Sequence, residues 1–134
     1  MVTDTDLTLK NAVDVANVKR GLIKADEIRQ MTVKAIVDTG AWTFVINEET
    51  REKLGLDDAG YGEATLADGK EEEYPMAGPL EIWWENRYIT CNVLVIPNAP
   101  DILLGAWILE GLDLTINCKR ELVGVHGDIV MHRV

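Results

Sequence analysis

Short runs of alternating apolar and polar residues cover most of this chain, and turn signals separate them. Ile28–Val37 is one such run, and its polar residues thin out toward its end, which indicates a strand passing from the surface into the core. Tyr61–Ala67 and Tyr74–Trp84 are two more, and the Asp68-Gly69 dipeptide between them is a strong β-hairpin signal. Many short strands with frequent turns predict an all-β barrel or sandwich.

The other segments follow the same pattern, apart from two short helices. Asn47–Gly55 is typical of a helix, because Asn47 can cap its first turn and Gly55 can end it. A second helix is predicted at Ala106–Glu110. Further strands are predicted at Leu7–Leu9, Val13–Val18, Trp42–Ile46, Tyr88–Ile96, Ile102–Gly105, Leu112–Ile116, Glu121–Val125 and Asp128–Met131. With no repeat or linker, residues 1–134 are expected to form a single domain.

Acidic residues outnumber basic ones by 23 to 13, which gives a net charge of −10 at pH 7. Such a chain repels the phosphates of nucleic acids and of anionic lipids, so nucleic-acid binding is not expected. The acidic runs Asp57-Asp58 and Glu71–Glu73 are interpreted as solvated loops. Membrane insertion is not expected either, because the apolar runs are far shorter than the roughly 20 residues that cross a bilayer.

Cysteine and histidine usage bounds the compartment and the cofactors. The chain has only two cysteines, Cys91 and Cys118, and its first residues lack a signal-peptide pattern. We interpret both as free thiols in a reducing compartment, and expect a cytoplasmic protein. His126 and His132 have no second ligand at the spacing of a metal site, so they are interpreted as surface residues. Neither a metal nor another cofactor is predicted.

The segment Ala35–Ala41 joins an apolar strand to the tripeptide Asp38-Thr39-Gly40. Hydrolysis of a peptide bond without a metal requires a base that deprotonates water and an acid that protonates the carbonyl oxygen. Two carboxylates that share one proton can fill both roles. The strand can deliver the aspartate into a nearly buried turn, and the glycine lets the chain turn tightly. By itself the tripeptide is weak evidence, because a β-turn capped by Asp38 has the same sequence.

The context of this tripeptide resembles that of the retropepsins, the retrovirus-type aspartic proteases, and more closely that of their bacterial single-domain relatives. The resemblance covers nearly the whole chain, in segments that keep their order: Val37–Ala41, Leu54–Leu56, Ala67–Gly69, Gly78–Ile82, Leu103–Ala106 with Leu109-Glu110, and Leu112–Leu114. It implies a small closed β-barrel of the retropepsin type with one or two short helices. It also implies an aspartic endopeptidase that acts on peptides or proteins without a cofactor.

The resemblance implies a role for each residue of the site. The chain contains a single Asp-[Thr/Ser]-Gly, which is half of a carboxylate pair, so a homodimer with an Asp38 dyad is expected. The resemblance assigns catalysis to Asp38 and support of the active-site loop to Thr39 and Gly40. Substrate binding is assigned to two residues after the motif and three at a flap tip: Ala41, Trp42, Ala67, Asp68 and Gly69.

Two positions depart from the retroviral pattern. Trp42 and Ala106 stand where retroviral enzymes generally have an acid and an arginine that pair with each other. Trp42 is interpreted either as a wall of the cleft or as a core or interface aromatic. Three functions therefore remain open. They are a dimeric peptidase, a catalytically weak or inactive module that binds peptide or dimerises, and a structural oligomerising domain in which Asp38-Thr39-Gly40 is only a braced turn.

Overall fold

The computed structural model describes residues 3–65, 69–116, 119 and 121–124. Most of these residues lie in strands, and three of the connections are helical. The strands are β1 (Thr3–Asn11), β2 (Gln30–Asp38), β3 (Phe44–Ile46), β4 (Asp57–Thr65), β5 (Glu71–Trp84), β6 (Arg87–Val95), β7 (Ile102–Gly105), β8 (Leu114–Ile116) and β9 (Leu122–Gly124). The helices are α1 (Ala12–Lys19), α2 (Glu48–Leu54) and α3 (Ala106–Gly111), with a short 3-10 turn at Ala25–Glu27.

Six strands close into a barrel in the order β1-β2-β7-β3-β6-β5, and pairing between β1 and β5 completes the ring. Alternate side chains fill its interior. Leu7 and Leu9 of β1 are at most 1% exposed, and burial of a leucine stabilises a fold by roughly 1.5–3 kcal/mol. The predicted closed all-β barrel is confirmed. β4 pairs with β5 outside the ring, so these two strands form a hairpin arm.

Helix α2 has the ends that the sequence predicts. The Asn47 side chain accepts a hydrogen bond from the Thr50 amide at 2.9 Å, and Gly55 ends the helix with a φ of 60°. A left-handed residue at this position favours glycine, because a side chain there is strained. The predicted helix after β7 is also confirmed, as α3.

The predicted strand at Val13–Val18 is wrong, because this segment belongs to helix α1. The Asn11 side chain caps the helix by accepting a hydrogen bond from the Asp14 amide at 3.1 Å. The Asp14 carboxylate in turn accepts three hydrogen bonds from Arg29, at 2.9 to 3.0 Å. The helix is thus held by a partner 15 residues away, which a local alternation of valine and polar residues does not reveal. The residues that the structure describes therefore contain three α-helices, where one or two were expected.

The acidic runs are exposed, as predicted, but they lie in strands rather than in loops. Asp57-Asp58 begins β4 and Glu71–Glu73 begins β5. Glu73 lies opposite Glu63, and the arm continues until Glu71 lies opposite Thr65. Of the predicted closing strands, β8 and β9 are present, whereas Asp128–Met131 lies outside the described residues, as do Cys118, His126 and His132.

Cys91 is a free, half-buried thiol, and burial raises its pKa to about 11. None of the helices in the described ranges is long and apolar enough to cross a membrane. Within the same ranges, no group of three or more His, Cys, Asp or Glu side chains is placed to hold a metal ion. The cytoplasmic location stays a prediction.

Candidate active site

Asp38 is the last residue of β2, and β7 fixes its position. β7 runs parallel to β2, with Asp38 opposite Gly105, and antiparallel to β3, with Phe44 opposite Leu104. β7 therefore lies between β2 and β3, the two strands that residues 39–43 connect. Because the strand that carries Asp38 is hydrogen-bonded to buried neighbours, its carboxylate has a fixed place at the end of the β2–β7 pair.

The loop after β2 curls back onto Asp38. The Gly40 amide donates to Asp38 Oδ1 at 2.9 Å, and the Ala41 amide donates to the Asp38 carbonyl oxygen at 3.1 Å. A Cβ atom on Gly40 would lie 3.2 Å from the same Oδ1, so glycine leaves room for this close approach. Across the described ranges, the half-buried Asp38 carboxylate has no other hydrogen bond and no ion pair. The second carboxylate oxygen is therefore available to a ligand.

Gly105 lets the β7–α3 junction pack directly against this loop. The Ala106 amide donates to the Ala41 carbonyl at 2.9 Å, and the Trp107 amide donates to the Trp42 carbonyl at 3.0 Å. A Cβ atom on Gly105 would lie only 2.3 Å from the Thr43 carbonyl oxygen. Any side chain here would push the two segments apart. The family resemblance includes the segment Leu103–Ala106, but it does not predict this close contact.

A cleft of about 630 Å³ opens beside Asp38. One wall is the loop after β2, a second is the end of β4, and a third is the turn between β6 and β7. The lining is mostly apolar, and it consists of Asp38, Gly40, Ala41, Trp42, Thr43, Val45, Glu63, Ala64, Thr65, Leu94, Ile96, Ala99, Pro100, Asp101 and Leu103. A cleft of this size has room for side chains of a bound peptide and lies within the range of about 300–1,000 Å³ that is typical of ligand pockets.

The structure brings four of the residues predicted for the site together in this cleft, namely Asp38, Gly40, Ala41 and Trp42. Trp42 is 72% exposed, so it is a wall of the cleft and not a core residue of this chain.

The other predicted residues lie elsewhere. Thr39 is exposed next to Asp38 but does not line the cleft. Gly69 is exposed in the bend before β5, and its φ of 85° suits a glycine in a turn. Ala67 and Asp68, the remaining flap-tip residues, lie outside the described residues.

Among the lining residues that sequence reasoning missed, three carry a charge or a large aromatic ring: Glu63, Asp101 and Trp107. Glu63 lies in β4, Asp101 lies in the turn before β7, and Trp107 lies in α3, where it lines a smaller cavity of about 270 Å³ beside the cleft. No local pattern marks these positions, because strand pairing between distant segments brings them to the two cavities. The two acids give the cleft a negative charge in addition to that of Asp38.

The arrangement supplies half of an acid–base pair. A carboxylate with one open oxygen can accept a proton from water, but the same group cannot also protonate the carbonyl of the attacked bond at that moment. The loop around Asp38 carries no second carboxylate among its described residues, because residues 39–43 are Thr, Gly, Ala, Trp and Thr.

Comparison with known proteins identifies relatives of this arrangement. Residues 26–107 match the family model of the aspartyl proteases. The curated DNA damage-inducible protein 1 of Eremothecium gossypii is 26% identical over 104 residues, which is 75% of this chain and 22% of that protein. The chain thus spans about a fifth of the length of this relative.

Two solved structures share the fold. The EIAV protease, solved with the inhibitor HBY-793, has a TM-score of 0.55 and 20% identity, over 84% of this chain and 88% of that chain. The retroviral protease-like domain of Ddi1 from Leishmania major has a TM-score of 0.55 and 21% identity, over 93% of this chain and 90% of that chain. Because the family model covers more than half of the sequence and includes Asp38 and Gly105, and because the barrel is that of the retroviral enzymes, this chain belongs to the aspartyl protease family and is retropepsin-like.

Proposed function

We propose that the chain is an aspartic endopeptidase and that its active species is a homodimer. Asp38 from each copy supplies one carboxylate of a dyad, which activates the water that attacks a peptide bond. The observation that carries the proposal is the open oxygen of Asp38 beside a cleft that can hold a peptide. A carboxylate needed only to brace a turn would not require a cleft of about 630 Å³ at its side.

The homodimer follows from the number of carboxylates. One Asp-Thr-Gly gives one carboxylate per chain at this loop, and a twofold axis next to Asp38 brings in the second. Thr39 is exposed beside Asp38, so its hydroxyl is available to bond to the facing loop. Gly40 lets its own loop, residues 39–43, lie close to the Asp38 carboxylate of the same chain. These roles for Thr39 and Gly40 are part of the proposal.

In the reaction, one Asp38 carboxylate accepts a proton from water while its protonated partner donates a proton to the carbonyl oxygen. The tetrahedral intermediate then breaks its C–N bond: the proton taken from water passes to the departing amine, and the partner carboxylate takes back a proton from a hydroxyl of the intermediate as the product carbonyl forms. The pair ends with the same single proton with which it began. Cleavage is expected to be faster at mildly acidic than at alkaline pH, because the facing carboxylates must retain that proton.

The substrate is an extended polypeptide. Among the described strands, β4 pairs only with β5, and residues 63–65 of β4 line the cleft. The other edge of β4 can therefore add a peptide strand through backbone hydrogen bonds. We assign side-chain contacts with the peptide to Ala41 and Trp42, and closure of the arm over it to Ala67, Asp68 and Gly69. The same free edge supports the second candidate, a catalytically weak module that binds peptide in this cleft.

The experiment compares the native protein with Asp38→Asn on an unstructured peptide library at acidic and at neutral pH. Asparagine keeps the shape of aspartate but cannot accept the proton from water, so cleavage should fall by about 10²–10⁴-fold. Peptide binding, measured by fluorescence anisotropy, should persist, because the groove is unchanged. Sedimentation at several concentrations should show a dimer in the range where cleavage occurs.

The outcomes separate the candidates. Equal cleavage by both forms would assign the activity to another site or to a contaminating protease. Peptide binding without cleavage by either form would favour the binding module. A monomer that still cleaves at high dilution would contradict the shared Asp38 pair.

A further inference from the structure

Two large aromatic side chains near the cleft are left in solvent. Trp42 is 72% exposed and Trp107 is 45% exposed. Other large apolar residues are also exposed, but these two line the same cavity beside the cleft. The hydrogen bond from the Trp107 amide to the Trp42 carbonyl, at 3.0 Å, fixes the two backbones side by side. The indoles are therefore attached to a rigid base, and their exposure is a property of the fold.

The cavity beside them has an apolar floor. It has a volume of about 270 Å³, and its lining comprises Trp42, Thr43, Gly62, Glu63, Met76, Asn92, Leu94 and Trp107. A Cβ atom on Gly62 would lie 2.9 Å from the Met76 sulfur and 3.2 Å from Leu94 Cδ1, so a side chain there would fill the floor. A thioether and aromatic faces adapt to large apolar side chains of different shape.

This cavity continues the cleft. Four residues line both, namely Trp42, Thr43, Glu63 and Leu94, so an extended chain that leaves Asp38 past Trp42 reaches it directly. In an extended peptide, alternate side chains lie on the same side, so a residue a few positions from the attacked bond can enter the second cavity while its neighbours remain in the cleft.

We infer that the cavity between Trp42 and Trp107 is a distal subsite for one large apolar side chain, aromatic or aliphatic, of the polypeptide bound beside Asp38. The inference rests on the proposed function and deepens it. Glu63 lies at the boundary of the two cavities, with no ion pair or hydrogen bond in the described part of the chain. Its negative charge disfavours an acidic neighbour of that apolar side chain and favours a basic one.

The test uses peptides that are identical except for Phe or Ala at each position two to four residues from the cleaved bond. At one position the native protein should bind and cleave the Phe peptide about tenfold better than the Ala peptide. Trp42→Ala and Trp107→Ala should each reduce this ratio to about threefold or less. Tyr61→Ala is the matched control, because Tyr61 is 71% exposed in β4 but lines neither cavity. It should leave the ratio unchanged.

Binding is measured by fluorescence anisotropy in the Asp38→Asn background, and cleavage in the native background. If peptides are cleaved but no position distinguishes Phe from Ala, the subsite is refuted and the proposed function stands. If nothing is cleaved but the Phe preference in binding remains and depends on the tryptophans, the proposed activity fails and the subsite stands. Absence of binding refutes the inference. So does an unchanged ratio combined with a weakened dimer in the Trp42→Ala protein, because the indoles would then form the interface between two copies.

Discussion

Asp14 and Asp38 show how differently this fold treats two carboxylates. Asp14 in α1 is 6% exposed and accepts three hydrogen bonds from Arg29, two of them from the guanidinium. Asp38 at the end of β2 accepts one, from the Gly40 amide, and faces the cleft. The first carboxylate has its hydrogen-bonding capacity filled by the protein, and the second keeps an oxygen for a ligand.

This difference indicates that Asp14 is the structural acid. The hydrogen bonds from Arg29 lower the pKa of Asp14 more than its desolvation raises it. Arg29 in turn extends over Gly55, where a Cβ atom would lie 1.9 Å from the guanidinium. Asp14 thus ties α1 to the strand that leads to Asp38 and to the end of α2. Removing it should damage stability and spare catalysis, and removing the Asp38 carboxylate should do the reverse.

The largest effect on stability is expected at Gly105, which holds the loop under Asp38. Gly105→Ala should lower the free energy of unfolding by more than about 3 kcal/mol, because its Cβ atom would overlap the Thr43 backbone. Gly40→Ala is the matched control, since its Cβ atom would meet only the tip of the Asp38 side chain, at 3.2 Å. That variant should lose about 1 kcal/mol or less. Urea unfolding of both proteins measures the difference, and equal losses would contradict the close packing of β7 against the loop.

Asp14→Asn should lower the free energy of unfolding by about 2 kcal/mol, because the Arg29 guanidinium loses charge-assisted hydrogen bonds to a buried partner. Asp38→Asn should change it by less than about 0.5 kcal/mol, because it removes one hydrogen bond at an open site. Urea unfolding of the two variants tests stability, and cleavage by Asp14→Asn at a temperature where it stays folded should match the native rate. Loss of stability in Asp38→Asn alone would reverse the assignment of the structural acid.

Acidification is expected to have the smallest effect on the free energy of unfolding. The pKa of Asp14 is below its ordinary value of 3.8 in the folded state, so its ion pair stabilises the fold fully above that value. The stabilisation is lost as pH falls through the lowered pKa. The stability gap between the native protein and Asp14→Asn should therefore stay constant at higher pH and narrow below about pH 4. Thermal unfolding across this range measures the gap, and a gap that widens with acid would contradict the sign.

The elements with strong local signals were predictable. β2 follows from its alternation, and α2 follows from Asn47 at one end and Gly55 at the other, because caps and period are properties of neighbouring residues. Helix α1 was not predictable in this way, because its valines alternate with polar residues as they would in a strand. The contact between Asp14 and Arg29 holds it as a helix, and this contact joins two segments whose proximity depends on the pairing of β1 with β2.

The sequence by itself determined the strand-rich class and the turn at Asp38, because these depend on residues close together in the chain, and the order of short motifs along the chain indicated the family. The tertiary structure decided what surrounds the Asp38 carboxylate. Asp101, Gly105 and Trp107 come from one distant segment and Glu63 from another. They meet around the cleft and its neighbouring cavity because β7 enters between β2 and β3 and because the end of β4 lines the cleft. Strand pairing over long separations sets these contacts, and no local pattern of residues encodes it.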